Sequence, residues 1–173
     1  MPDLLPNSGL IVEVPAAEAA VGRHRELLDC NARGGVPAHV TVLYPFLGID
    51  RIDADTLDTV RTLIGRHRAF TVRFEQCARF PDVLYLAPTP DQPFRDLTEA
   101  LVAQWPEAPP YGGQFTDVVP HLTVAQAQPP QVFDDVAAAL ARHLPITARV
   151  SSIQLLVSDG NQWEQRADFP LLG

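Results

Sequence analysis

One short pattern occurs twice in this chain, in matching surroundings, and it limits the possible folds more than any other feature. His39-Val40-Thr41 lies in the apolar run AHVTVLYPF at 38–46, and His121-Leu122-Thr123 lies in VPHLTVAQ at 119–126. A proline stands just ahead of each triplet, Pro37 and Pro120. Upstream, GLIVEV at 9–14 and VLYLAP at 83–88 both read as strands. Each is followed by a helical stretch, a loop and then a triplet. The leading strands start at 9 and 83, an offset of 74; the triplets start at 39 and 121, an offset of 82. The difference fits a longer loop in the second copy. Such a chain is a duplicated β-α-β-type unit, which predicts an α+β architecture with helices packed outside the sheets.

The remaining segments fill in around this repeat. Residues 16–31 read as a helix, with Val21, Leu27 and Leu28 on its buried side and His24 beside them. Residues 54–67 form a second helix through Leu57, Val60, Leu63 and Ile64, and FTVRFEQC at 70–77 alternates as a strand. Over 91–105 the stripe Phe94, Leu97, Leu101 and Trp105 predicts a helix with Asp91 as its N-cap. A fourth helix, 130–143, uses Phe133, Val136 and Leu140, with Asp134 and Asp135 as first-turn charges. Residues 146–159 read as one long or two short strands, and 162–171 as the last. The loop at 106–120 is long, and loops of that length are uncommon unless functional. With 173 residues the chain fits a single domain of two lobes, roughly 1–80 and 81–173, the C-terminal strands crossing over between them.

Composition excludes several classes. No apolar run reaches 18 residues, so no membrane span is expected. The N-terminal MPDLLPNSGL lacks the basic and apolar regions of a secretory signal, which points to a cytoplasmic protein. Cys30 and Cys77 form no metal-type cluster and read as reduced thiols. Net charge is −8, from 13 basic residues, all Arg, against 21 acidic ones. No basic stripe is evident, so long nucleic acid is not an expected partner.

The triplets carry the chemistry. Residues i and i+2 of a strand share a face, so each triplet presents one imidazole and one hydroxyl, while Val40 and Leu122 point into a core. With the two strands side by side, His39, His121, Thr41 and Thr123 converge. Histidine serves as acid or base near neutral pH, and hydroxyls donate to phosphate oxygens. Without ligand-spaced carboxylates nearby, two histidines make a poor metal site, and no cofactor is expected. Tyr44 and Phe46 follow the first triplet and either line the cleft or pack in the core. Tyr111, with Gly112 and Gly113, lies in the long loop and either closes over a substrate or is plain loop structure. Arg51 is within reach of a phosphate or simply solvated; His24, His67 and His143 read as surface or packing residues.

On these residues the chain resembles the 2H phosphoesterase superfamily, in particular the 2′-5′ RNA ligase-like or RNA 2′,3′-cyclic phosphodiesterase group. The likeness rests on HVT at 39–41, HLT at 121–123, VPAHVTVLYPF at 36–46, and the terminal Trp163, Phe169, Pro170 and Leu171. It covers nearly the whole chain. The resemblance implies a bilobal, pseudo-twofold α+β fold with antiparallel-rich sheets flanking a central cleft. It implies metal-independent hydrolysis of 2′,3′-cyclic phosphates of nucleotides or short RNA ends, with His121 as base and His39 as acid. RNA end-processing or 2′-5′ ligase-type activity is the alternative on the same fold, and a non-catalytic nucleotide- or RNA-binding module is another. Binding alone does not need two titratable groups, which argues against that module.

Overall fold

The two copies of the repeat build two sheets that exchange their helices. The computed structural model describes residues 7–173, so the first six residues of MPDLLPNSGL lie outside the described residues. The first copy runs β1 (Asn7–Glu13), α1 (Glu18–Leu28), α2 (Cys30–Arg33), β2 (His39–Leu43) and α3 (Ala54–Gly65). Then come β3 (Phe70–Phe80), β4 (Val83–Thr89), α4 (Gln92–Gln104), β5 (Leu122–Gln126) and α5 (Pro130–Ala141). β6 (Ile146–Val150), β7 (Ser152–Ser158) and β8 (Trp163–Pro170) close the chain. Strand order is β2-β1-β7-β8 in one sheet and β5-β4-β3-β6 in the other, and every pairing is antiparallel. The expected α+β, pseudo-twofold arrangement is present, with β2 equivalent to β5 and β1 to β4.

Sheet membership does not follow the two halves of the sequence. β3 pairs with β4 in the second sheet, while β7 and β8 return to the first. Only Ser151 separates β6 from β7, so the apolar stretch 146–159 is two strands in different sheets. The helices cross as well. α1 packs on β5 and α4 on β2, so each copy's helix covers the triplet strand of the other; α3 packs on β8 and α5 on β3. A single apolar cluster therefore holds Leu10, Val12 and Val40 from one sheet together with Leu84, Leu86 and Leu122 from the other. On α4 the stripe Phe94, Leu97, Leu101 and Trp105 is buried as its spacing predicts, and each such side chain contributes roughly 1.5–3 kcal/mol when removed from water.

Four sequence expectations change. The helix read at 16–31 breaks at Asp29, which is extended (φ −128°, ψ 114°) and whose carboxylate accepts from the Asn31 amide at 3.0 Å to start α2. The buried face of α1 carries Val21 and Arg25, while Leu27 is 67 % exposed. Arg25 belongs inside because Asp29, one turn on, pairs with it at 3.0 Å. Asp91 does not cap α4 with its side chain; its carboxylate accepts from Arg95 Nε at 2.9 Å. Asp134 and Asp135 fall beyond the first turn of α5, where Asp134 pairs with Arg79 and Asp135 accepts from Gln131. Elsewhere, Phe46 is a core residue set edge-on to Trp105, and Arg51 is exposed and paired with Glu107. His24 and His67 are half-buried and His143 is exposed. No helix among the described residues is long and apolar enough to cross a membrane.

Candidate active site

Each triplet strand is the terminal strand of its sheet, and β2 and β5 touch each other. Val40 and Leu122 are fully buried, as the two-residue period requires. His39, Thr41, His121 and Thr123 are half-buried and line one cleft of about 400 Å³ between the sheets. Tyr44 and Tyr111 line it too, so both triplets and both tyrosines come together, while Phe46 and Arg51 lie elsewhere.

The two imidazoles are set in the same way. His39 Nδ1–H donates to the Pro37 carbonyl at 2.8 Å, and His121 Nδ1–H donates to the Val119 carbonyl at 2.7 Å. A carbonyl only accepts, so Nδ1 holds the proton in both rings and Nε2 is left for the cleft. One residue further back the loops are tethered alike. Arg25 of α1 donates to the Val36 carbonyl at 3.2 Å, and Arg95 of α4 donates to the Val118 carbonyl at 3.1 Å. Both carbonyls lie three residues ahead of a histidine. Arg25 is anchored by Asp29, and Arg95 by Asp91 and Asp117. The Glu18 carboxylate also accepts from the Ala38 amide at 2.6 Å, fixing the approach to the first triplet.

After each threonine the register slips by one residue. Leu10 pairs with Leu43 but Ile11 with Thr41, leaving Val42 unpaired; Leu84 pairs with Ala125 but Tyr85 with Thr123, leaving Val124 unpaired. These are β-bulges, which re-aim the side chains beyond them. Their effect is to return Tyr44 and Gln126, equivalent positions in the two copies, to the cleft face. In the first copy the Val42 carbonyl accepts from the Thr98 hydroxyl of α4 at 2.7 Å. Gln126 reaches across to the other copy, where its Nε2 donates to Asp29 at 2.9 Å.

The walls differ between the two sides. Behind His121, Phe80 stacks on Tyr85 at 4.4 Å, and both rings meet the imidazole edge-on at 5.1 and 5.5 Å. On the His39 side, Ile11, Val36 and Leu156 form a small apolar floor with Trp163 packed against it. Tyr44 meets Trp163 edge-on at 5.9 Å and takes a hydrogen bond from Asn7 at 3.3 Å. A Cβ on Gly9 would come within 3.2 Å of the Tyr44 ring, so a larger residue there would push the ring outward from β1. The loop residue Tyr111 is pinned by its amide to the Tyr44 carbonyl at 2.7 Å and held at φ 51°, a left-handed conformation uncommon for a non-glycine residue. Burial raises the Tyr111 phenol, an effect its hydrogen bond with Thr41 opposes.

Burial also sets the charge of the pair. It lowers His39 to about 4, helped by the Arg25 guanidinium and the His121 ring and opposed by the bond to the Pro37 carbonyl. His121 is lowered by burial as well, against its bond to Val119. Among the described residues no group of three or more His, Cys, Asp or Glu side chains gathers at one point.

Sequence reading overlooked Gln126, Ile11, Leu156 and the polar rim of Asn7, Asn31 and Ser158, all of which line the cleft. Alignment of HVTVLY with HLTVAQ would have found Gln126, since it stands opposite Tyr44 five residues after each histidine.

No curated protein sequence matches the chain. Solved structures match its fold over nearly its whole length. The protein TT0787 of Thermus thermophilus superposes with a TM-score of 0.67 at 21 % identity, covering 96 % of this chain and 98 % of that one. E. coli LigT complexed with 3′-AMP gives 0.61 at 16 % identity, covering 96 % and 98 %. A protein described as a phosphoesterase gives 0.60 at 16 % identity, covering 98 % and 99 %. The family model of the 2′-5′ RNA ligase superfamily matches residues 13–162, a span that includes both triplets and the loop between them; the chain belongs to that superfamily, the 2H phosphoesterases.

Proposed function

We propose that this protein is a metal-independent phosphodiesterase that hydrolyses 2′,3′-cyclic phosphates of nucleotides or short RNA ends. The observation that carries the reading is the matched pair of imidazoles, each with its proton fixed on Nδ1 and its Nε2 left for one cleft that also holds two threonine hydroxyls. Water adds to phosphorus and gives its proton to one Nε2; the bond from phosphorus to one ribose oxygen breaks, and that oxygen takes a proton from the other Nε2. Thr41 and Thr123 donate to the non-bridging oxygens, where negative charge builds up. The fold neighbour E. coli LigT is complexed with 3′-AMP in one structure and with NADP+ in another, which favours a nucleotide-sized substrate.

The roles depend on where the nucleoside lies. The apolar floor of Ile11, Val36 and Leu156 on the His39 side supports a nucleoside bound there, with its departing ribose oxygen toward His39 as acid and water toward His121 as base. This is the assignment the resemblance implies. Burial alone ranks the rings the other way, holding His39 neutral more strongly. A phosphodiester anion between the rings raises both values, so the order set by burial does not decide the order in the complex.

The test is incubation with adenosine 2′,3′-cyclic phosphate in excess EDTA, followed by 31P NMR for a ring-opened monophosphate. Product at undiminished rate supports the reading. A protein inert on mononucleotide and oligonucleotide cyclic ends alike overturns it. A 4-nitrophenyl diester of a nucleotide, whose leaving group needs no proton, assigns the roles: it restores activity to the variant lacking the acid and not to the one lacking the base.

A further inference from the structure

The cleft is lined by aromatic, apolar and uncharged polar side chains around the two imidazoles, and no Arg among the described residues lines it. The two guanidiniums that tether the loops ahead of the triplets are both paired with carboxylates. Arg25 is buried and paired with buried Asp29, and Arg95 lies between Asp91 and Asp117. Arg79 and Arg51, further out, face Asp134 and Glu107. The chain has no Lys and a net charge of −8. Anions entering this cleft therefore meet hydroxyls, amides and the two imidazoles with no guanidinium beside them, inside a molecule whose long-range field repels them.

We infer that this cleft selects substrates by charge: it takes a nucleoside 2′,3′-cyclic phosphate bearing the single negative charge of the cyclic diester and discriminates against the same nucleoside carrying a terminal 5′-phosphate monoester as well. The inference rests on the cyclic phosphodiesterase reading and adds the substrate subclass. One phosphodiester oxygen pair can be served by Thr41, Thr123 and one protonated ring. The nucleoside then lies over Ile11, Val36, Leu156 and Trp163, with the rim of Asn7, Asn31 and Ser158 around it. That rim offers hydrogen bonds to a base or ribose but no charge to balance a 5′-phosphate. The same logic clears the product, since opening the ring converts a monoanion into a monoester approaching two charges, which this cleft holds less well than the substrate.

The experiment compares kcat/KM for adenosine 2′,3′-cyclic phosphate and its 5′-phosphorylated counterpart, in EDTA, at 50 and 300 mM NaCl. The expected preference for the 5′-hydroxyl substrate is about tenfold or more at low salt, shrinking at high salt as repulsion is screened. In Asn31→Arg, which puts a cation on the exposed rim, the ratio should narrow by about threefold or more, each substrate being compared within the variant. Equal kcat/KM for the two substrates at both salt concentrations would overturn the charge selection and leave the phosphodiesterase reading standing. Turnover of neither by the unaltered protein would remove that reading and this inference with it. The comparison in the unaltered protein decides the matter even if the variant does not fold.

Discussion

Replacing His39 by glutamine should flatten the acid side of this protein's stability curve. The ring is held at about 4 against an ordinary 6.5, mainly by burial. The folded value lies below the unfolded one, so on acidification the unfolded chain takes up the proton first. The stability linked to a neutral His39 is complete above pH 6.5, falls away between 6.5 and about 4, and is constant below. That interval corresponds to about 3 kcal/mol in full, of which about 2 kcal/mol is lost between pH 7 and pH 5. Urea denaturation of the unaltered protein and of His39→Gln at those two pH values isolates the contribution, because the carboxylates titrate alike in both. The unaltered protein should lose about 2 kcal/mol more than the variant over the interval. A ring-proton NMR titration gives the value directly, and saturating substrate analogue should move it upward by placing an anion beside the ring. Parallel pH dependences, or an NMR midpoint near 6.5 in the protein without analogue, would refute the burial argument.

Other outcomes follow from the same geometry. His39→Ala and His121→Ala should each lower turnover by about 10²–10⁴-fold, and Thr41→Ala or Thr123→Ala by about 10–10³-fold, with unfolding midpoints read alongside to show that the fold survives. Since the productive enzyme carries one proton on the pair and both rings are lowered, kcat/KM should be bell-shaped with its maximum below pH 6.5, in EDTA as without it; a maximum near pH 8 would mean that another group is the base. Asp29→Ala leaves the Arg25 guanidinium buried without its partner and should cost about 3–5 kcal/mol in chemical denaturation.

Much of the site was legible because it depends on a period of two. His39 and Thr41 share a face whatever the sheet around them does, and so do His121 and Thr123, while Val40 and Leu122 are bound to point away. The helices followed for the same reason, since Phe94, Leu97, Leu101 and Trp105 mark one stripe at any orientation. Pairing between distant segments was not legible. β3 alternates as a strand in either sheet, and the residues of 146–159 are apolar enough for either; only the fold decides that the chain changes sheets at Ser151. Nothing in the local sequence marks Arg25 as buried; that depends on the chain turning back at Asp29 and bringing the Val36 carbonyl to it.

The bulges show where sequence and tertiary structure meet. Strict alternation from His39 would send Leu43 to the cleft and Tyr44 away from it, and from His121 it would send Ala125 inward and Gln126 away. In each copy two apolar residues follow the threonine in succession, Val42-Leu43 and Val124-Ala125, and all four are buried. A strand with one face on the core cannot bury neighbours in succession without a bulge, so each run already breaks the period of two. What the run does not specify is how the unpaired valine is accommodated. In the first copy the answer comes from the second, because α4 crosses over and its Thr98 hydroxyl takes up the Val42 carbonyl. The tilt of Tyr44 toward the cleft is thus held from the opposite half of the chain. The tethers at Arg25 and Arg95 follow the same rule, since each of these helices packs on the other copy's triplet strand while fixing the loop ahead of its own. The exchange of helices therefore ties the setting of each histidine to packing from both copies.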